Sequence, residues 1–98
     1  MKSFPRREIK RSLEKKGFYL ETGDHDYYNF YHNGKKTDIW TKISRGSKYE
    51  DYPRPLLNQI KRQLKFESPL QLEAFLKCPM QHEHYIQFLK EKKLVSES

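Results

Sequence analysis

The sequence predicts an α+β fold in which one three-stranded antiparallel sheet carries helices on one face, and three features predict it. Segments 18–22, 26–32 and 36–43 are rich in aromatic and β-branched residues and alternate with the period of two expected of strands. Asn33 and Gly34 separate the last two segments, and this dipeptide best tolerates the positive φ of a tight hairpin. On either side lie stretches whose apolar residues recur four apart, the spacing of a helix with one buried face.

Taken in order, residues 5–16 read as a first helix, with Ser3 as its cap and Ile9 and Leu13 on one face. Lys15 and Lys16 suit its negative end, and Gly17 is the stop. The strand FYLET (18–22) puts Phe18 and Leu20 on one side of the sheet and Tyr19 and Glu21 on the other. Gly23 and Asp24 break the chain before DYYNFYH (26–32), and the Asn33-Gly34 turn leads into Lys36 to Ile43. SRGSKYEDY (44–52) has no apolar period and reads as a loop. Pro53 and Pro55 then open a second helix carrying Leu56, Leu57, Ile60 and Leu64 on one side. Two further helix starts follow, Ser68-Pro69 with Gln71 and Cys78-Pro79 with Gln81, with apolar stripes Leu72, Phe75, Leu76 and Tyr85, Ile86, Leu89. They predict a C-terminal helical hairpin. Residues 1–66 thus form the α-β-β-β-α domain, and residues 67–98 an extension packed on it.

With 98 residues the chain has room for one modest core. Its 7 Tyr and 6 Phe set it apart from disordered chains, which rarely carry so many aromatics. No apolar run approaches a membrane span and the N-terminus lacks an apolar signal core, so a cytoplasmic protein is expected. The single cysteine, Cys78, agrees with a reducing compartment. Of the formal net charge of +7, residues 1–66 hold the whole excess, 16 Lys and Arg against 8 Asp and Glu. Such a field favours a polyanion, nucleic acid being the commonest and an anionic membrane surface its main rival.

If Phe18, Leu20, Tyr28, Phe30, Ile39 and Ile43 face the helices, alternation sends Tyr19, Glu21, Tyr27, Asn29, Tyr31, Asp38, Trp40 and Lys42 to the opposite face. His25 lies at its edge. That face has the mixture of rings and cations that stacks bases and holds phosphates, unless the trailing helices or a second subunit cover it. Solvent access to Tyr27 and Trp40 separates the two readings.

The stretch GDHDYY (23–28), after a helix and a strand beginning GFYL, resembles the GSHHxY segment of HicA-like (YcfA-like) mRNA interferase toxins. The resemblance covers roughly residues 5–66. It implies a double-stranded-RNA-binding-like scaffold, metal-independent cleavage of mRNA by a histidine, and neutralisation by a HicB-type antitoxin. The family histidine falls on His25 and its glycine on Gly23, whereas Asp24 and Asp26 stand where the family has Ser and a second His. Carboxylates on both sides of His25, if close, would favour the protonated imidazole and repel phosphate.

Metal-free RNA cleavage needs a group to take the 2′-hydroxyl proton, one to protonate the leaving oxygen, and a cation for the phosphorane. His25 suits either proton transfer. Lys42, Arg45 and Lys48 are the nearest expected cations, and Tyr27 and Trp40 the expected stacking residues. His82, Glu83 and His84 do not make a metal site, because residues two apart diverge on a helix, and Cys78 with His82 supplies only two ligands. No cofactor motif is present. Three functions compete: a HicA-like endoribonuclease, a non-catalytic RNA-binding module on the same fold, and a protein-interaction module whose aromatic face docks a partner.

Overall fold

The computed structural model describes residues 3–44, 50–77 and 80–95. Chain order is β1 (Ser3–Pro5), α1 (Arg6–Lys15), β2 (Phe18–Thr22), β3 (Asp26–His32), β4 (Lys35–Ile43), β5 (Asp51–Pro53), α2 (Arg54–Gln63), α3 (Pro69–Lys77) and α4 (His82–Glu91). The protein is α+β, with a three-stranded antiparallel sheet in the order β2-β3-β4 and four helices.

The register follows from alternation. Phe18 pairs with Phe30, Leu20 with Tyr28 and Glu21 with Tyr27 across β2 and β3, while Tyr27 pairs with Lys42 and Asn29 with Trp40 across β3 and β4. The second ladder shifts between Asn29 and Tyr31. There the Thr37 hydroxyl donates to the Phe30 carbonyl at 2.7 Å and accepts the Ile39 N–H at 3.2 Å, so one side chain replaces ladder bonds lost at the bulge. Asn33 and Gly34 both have positive φ, 54° and 76°, as the hairpin turn requires.

One hydrophobic cluster joins the helices to the sheet. Ile9 and Leu13 of α1, Phe18, Tyr28, Phe30, Ile39 and Ile43 of the sheet, and Leu57, Ile60 and Leu64 of the α2 segment share it with Leu72 and Phe75 of α3 and Tyr85 and Leu89 of α4. Tyr85 sits at the centre, 5.1 Å from the Phe75 ring and 5.3 Å from the Phe30 ring, and its hydroxyl donates to the Leu64 carbonyl at 2.9 Å. This bond satisfies a carbonyl that the end of α2 would otherwise leave buried and unpaired. Because Tyr85 meets Phe18 and Phe30, α4 packs on the same side of the sheet as α1, and no described helix covers the opposite side.

Several local expectations change. Ser3 does not cap α1. It belongs to β1, which pairs with β5 (Phe4 opposite Tyr52), and Pro5 takes the N-cap position without a side-chain bond. The last two residues of the expected loop, Asp51 and Tyr52, therefore belong with Pro53 to a strand, and three residues are too few to show a period. Lys16 is not a solvated terminal charge either. It is buried, its ammonium donates to the Phe75 carbonyl and lies 4.7 Å from that ring's centre, and Ser12 donates to the Leu76 carbonyl at 2.7 Å. Ser12 of α1 and Lys16 at its C-cap thus cap the end of α3. Leu20 lies on the helix side by register yet is 44% exposed, because β2 is an edge strand and the helices cover only its start at Phe18. Ser68 caps α3 as its sequence suggests, with the Gln71 N–H donating to its hydroxyl at 3.3 Å. Cys78 and Pro79 lie outside the described residues, and α4 begins later, with Gln81 as N-cap and its N–H donating to His84 Nδ1 at 3.0 Å.

Candidate nucleic-acid interface

The open face is a grid set by strand pairing. One row runs Glu21, Tyr27, Lys42 and the next Tyr19, Asn29, Trp40. Tyr19 and Tyr31 stack with ring centres 4.9 Å apart, and Tyr27 and Trp40 approach at 6.1 Å with a 59° tilt. Trp40 is 43% exposed and Tyr19 61%, with Tyr27 half-buried between its neighbours. Neither α3 nor α4 covers these rings. Asn29 is the exception on this face, buried among the larger side chains that flank it.

Charge on the open face is mixed. Lys36 is held by Glu21 at 3.2 Å and Asp38 is exposed, whereas no ion pair engages the exposed Lys42 among the described residues. The denser cationic surface lies on α2 and the turn after it. Arg54, Arg62 and Lys65 are exposed, and α2 has no acidic residue. Among the described residues the positive excess thus lies mainly on α1 and on α2 with the turn after it, not across the sheet face.

His25 stands where the face turns toward α2. Its half-buried ring meets Tyr27 edge-on at 6.4 Å. It lines a cleft of about 220 Å³ with Lys42, Ser44, Tyr52, Leu56, Gln59, Ile60 and Gln63. The Tyr52 hydroxyl is fixed by the Ser44 N–H at 2.7 Å and lies 2.8 Å from the Ser44 hydroxyl, which ties the end of β4 to β5. Arg6 fastens the same corner, its guanidinium donating to the Ser44 carbonyl at 3.1 Å and its N–H to the Glu50 carbonyl at 2.7 Å. An imidazole, a primary ammonium and an apolar floor thus converge at one mouth.

The two aspartates beside His25 part company. Asp26 alternates to the helix side, where it is buried and bound by Lys10 at 2.8 Å, so its charge is neutralised away from the open face. Asp24 stays exposed. Close by, the Tyr28 phenol is pushed up to about 12, first by burial and then by the Glu14 and Asp26 carboxylates.

Of the residues singled out from sequence, the fold brings His25, Tyr27, Trp40 and Lys42 to one contiguous surface; Arg45 and Lys48 lie outside the described residues. Sequence reasoning missed Gln59 and Gln63. Their signal is a polar pair four apart on α2, interleaved with Leu56 and Ile60 at helical spacing. Among the described residues no group of three His, Cys, Asp or Glu side chains is placed to hold a metal ion, and no helix is long and apolar enough to cross a membrane. His84 is bound to its own helix start, and His82 packs toward Gly17 and Phe30.

The chain matches no family model, no curated protein and no solved structure.

Proposed function

We propose that this protein is a HicA-like endoribonuclease that binds single-stranded RNA across Tyr27 and Trp40 and cuts it at His25. One observation carries the reading: the accessible imidazole stands beside Lys42, at the junction of an exposed aromatic face and a cleft lined by α2. Exposed rings supply sequence-tolerant stacking, and Lys42 on the same face supplies a cation for a phosphate. The three-stranded sheet β2-β3-β4 between α1 and α2, with the short β5 interposed before α2, supports a double-stranded-RNA-binding-like scaffold.

Neutral His25 takes the proton of the 2′-hydroxyl, the 2′-oxygen attacks phosphorus, and the bond to the 5′-oxygen breaks. The leaving oxygen takes a proton from water at the open mouth. The products are a 2′,3′-cyclic phosphate and a 5′-hydroxyl. Lys42 stabilises the charge that grows on the phosphorane oxygens. With Asp26 turned away and neutralised, one of the two departures from the family segment places no charge before the phosphate. In this reading a HicB-type antitoxin silences the enzyme by covering the open face.

The test is cleavage of end-labelled single-stranded RNA in EDTA. Wild type is expected to cut it to cyclic-phosphate ends, and His25→Ala to lose at least about 100-fold, the usual contribution of a general base. Salt-sensitive binding without cleavage, unchanged in His25→Ala, would establish the non-catalytic module instead. Binding that barely responds to salt would establish the protein-interaction module.

A further inference from the structure

The cleft behind His25 has two kinds of wall. Leu56 and Ile60 of α2 line it with Tyr52 of β5, while Gln59, Gln63, Ser44, Lys42 and His25 supply polar groups. At about 220 Å³ it is smaller than the roughly 300–1,000 Å³ of sites for drug-sized ligands, and its apolar and polar lining suits one planar ring system.

Gln63 gives the cleft a direction. Its Oε1 accepts a hydrogen bond of 2.5 Å from the Thr41 hydroxyl, and Thr41 is wholly buried in β4. The strand thereby holds the carboxamide by its oxygen, and the two amide hydrogens remain to be offered. Gln59, one turn earlier on the same helix face, is exposed and adaptable. Glutamine reads adenine by pairing its oxygen with the N6 amino group and its amide with N7, so it needs both ends. With its oxygen turned to Thr41, Gln63 presents its NH2 group to the cleft, a donor that matches a ring carbonyl, and cannot make the paired acceptor and donor contact that reads adenine.

We infer that this cleft is a nucleobase pocket, in which Gln63 selects a keto base, uracil or guanine, over adenine at the nucleotide next to the scissile phosphate. The assignment rests on RNA being the ligand. His25 and Lys42 line the same cleft, so a base seated on Leu56 and Ile60 places its own sugar-phosphate beside the imidazole. Gln63 is then a specificity-determining residue and Thr41 the residue that orients it.

The experiment has two arms, both on the full chain. In the first, a single-stranded RNA library is cut and the nucleotides flanking each new end are read. Uracil or guanine is expected over adenine by about tenfold, the discrimination of one good base contact. Gln63→Leu should erase that preference, chiefly by lowering cleavage next to uracil and guanine. Gln63→Glu, which offers only acceptors, should move it toward adenine and cytosine, whose amino groups stand where guanine and uracil carry a carbonyl. In the second arm His25→Ala is titrated with short oligouridine and oligoadenosine, and the same tenfold ratio is expected in affinity. If wild type never cuts yet His25→Ala binds oligouridine preferentially through Gln63, the nuclease reading falls and the pocket stands. If wild type cuts without flanking preference, or Gln63→Leu and Gln63→Glu leave the preference unchanged, the pocket is refuted and the nuclease stands. Thermal melts of both variants verify that they fold. Absence of RNA binding overturns both.

Discussion

Replacing Lys10 with methionine keeps most of its stem but takes the ammonium away from the Asp26 carboxylate on the helix side of the sheet. The pair is close, 2.8 Å, with the Asp26 side chain 9% exposed and that of Lys10 28% exposed. Exposed pairs contribute about 0.2–1 kcal/mol, whereas breaking a buried one costs about 3–5 kcal/mol because the remaining charge has lost both partner and water. A buried acid with a part-exposed base lies between these limits. Lys10→Met should therefore cost about 2 kcal/mol, or roughly 8–16 °C in Tm for a domain of this size. Asp26→Asn removes the charge that needs compensation and leaves a lysine able to reach water, so it should cost about half as much. The double variant should be little worse than Asp26→Asn alone. Urea unfolding of the four proteins gives the coupling energy directly, and a value below about 0.5 kcal/mol would refute the claim that Lys10 compensates a buried carboxylate. RNA cleavage by Asp26→Asn should match wild type, since the carboxylate faces away from the proposed substrate; a tenfold change would show that its charge is felt at His25.

Other consequences can be checked separately. Burial holds the Tyr28 phenol up to about 12 and raises Tyr85 still further, while an unfolded chain releases both protons near 10.0. Each tyrosine thus gives stability that is whole below pH 10. From there to about pH 12 it should be lost at about 1.4 kcal/mol per pH unit per tyrosine, read from urea midpoints; Tyr85→Phe should be less stable at neutral pH but fall less steeply above pH 10. Gly17 has φ of +94°, and a Cβ there would lie 2.8 Å from His82 Nε2 and 3.0 Å from the Phe30 ring. Gly17→Ala should cost about 1–3 kcal/mol in denaturant unfolding, through strain and displacement of α4. Trp40→Ala should weaken single-stranded RNA binding by about 1–3 kcal/mol in a titration, and should cost about 1 kcal/mol of stability through the lost contact with Tyr27, read from urea midpoints.

The main sheet was legible because its strands alternate over five or more residues and Asn33-Gly34 dictates the turn. The segments read at 18–22 and 26–32 are β2 and β3 as they stand, and β4 begins one residue earlier than read. What escaped depends on partners remote in sequence. Nothing in Ser3 to Pro5 announces a strand until Asp51 to Pro53 lies beside it, and then the pairing displaces Ser3 from the helix cap. Lys16 looks like any terminal lysine, yet 59 positions of chain separate it from the carbonyl it satisfies. Leu20 has the right parity for burial, but parity cannot say how far a helix reaches along an edge strand.

The same division runs through the candidate site. His25, Tyr27, Trp40 and Lys42 lie on β3, on β4 or at the turn between β2 and β3, so alternation alone brings them to one face. The far wall belongs to α2, and a helix that reads only as an amphipathic stripe conceals which polar residues border the apolar ones at a cleft. Gln63 becomes informative only when the buried Thr41 hydroxyl fixes its oxygen, a contact across 22 positions of chain. The two residues constrain one another: Thr41 has no place in an apolar core without an acceptor, and the acceptor cannot turn without leaving that hydroxyl unpaired. Thr41→Val should therefore cost little stability, because donor and need vanish together, while freeing the carboxamide to rotate and relaxing discrimination against adenine. A Thr41→Val protein that is strongly destabilised, or that retains the keto-base preference, would show that the hydroxyl does not govern the direction of Gln63.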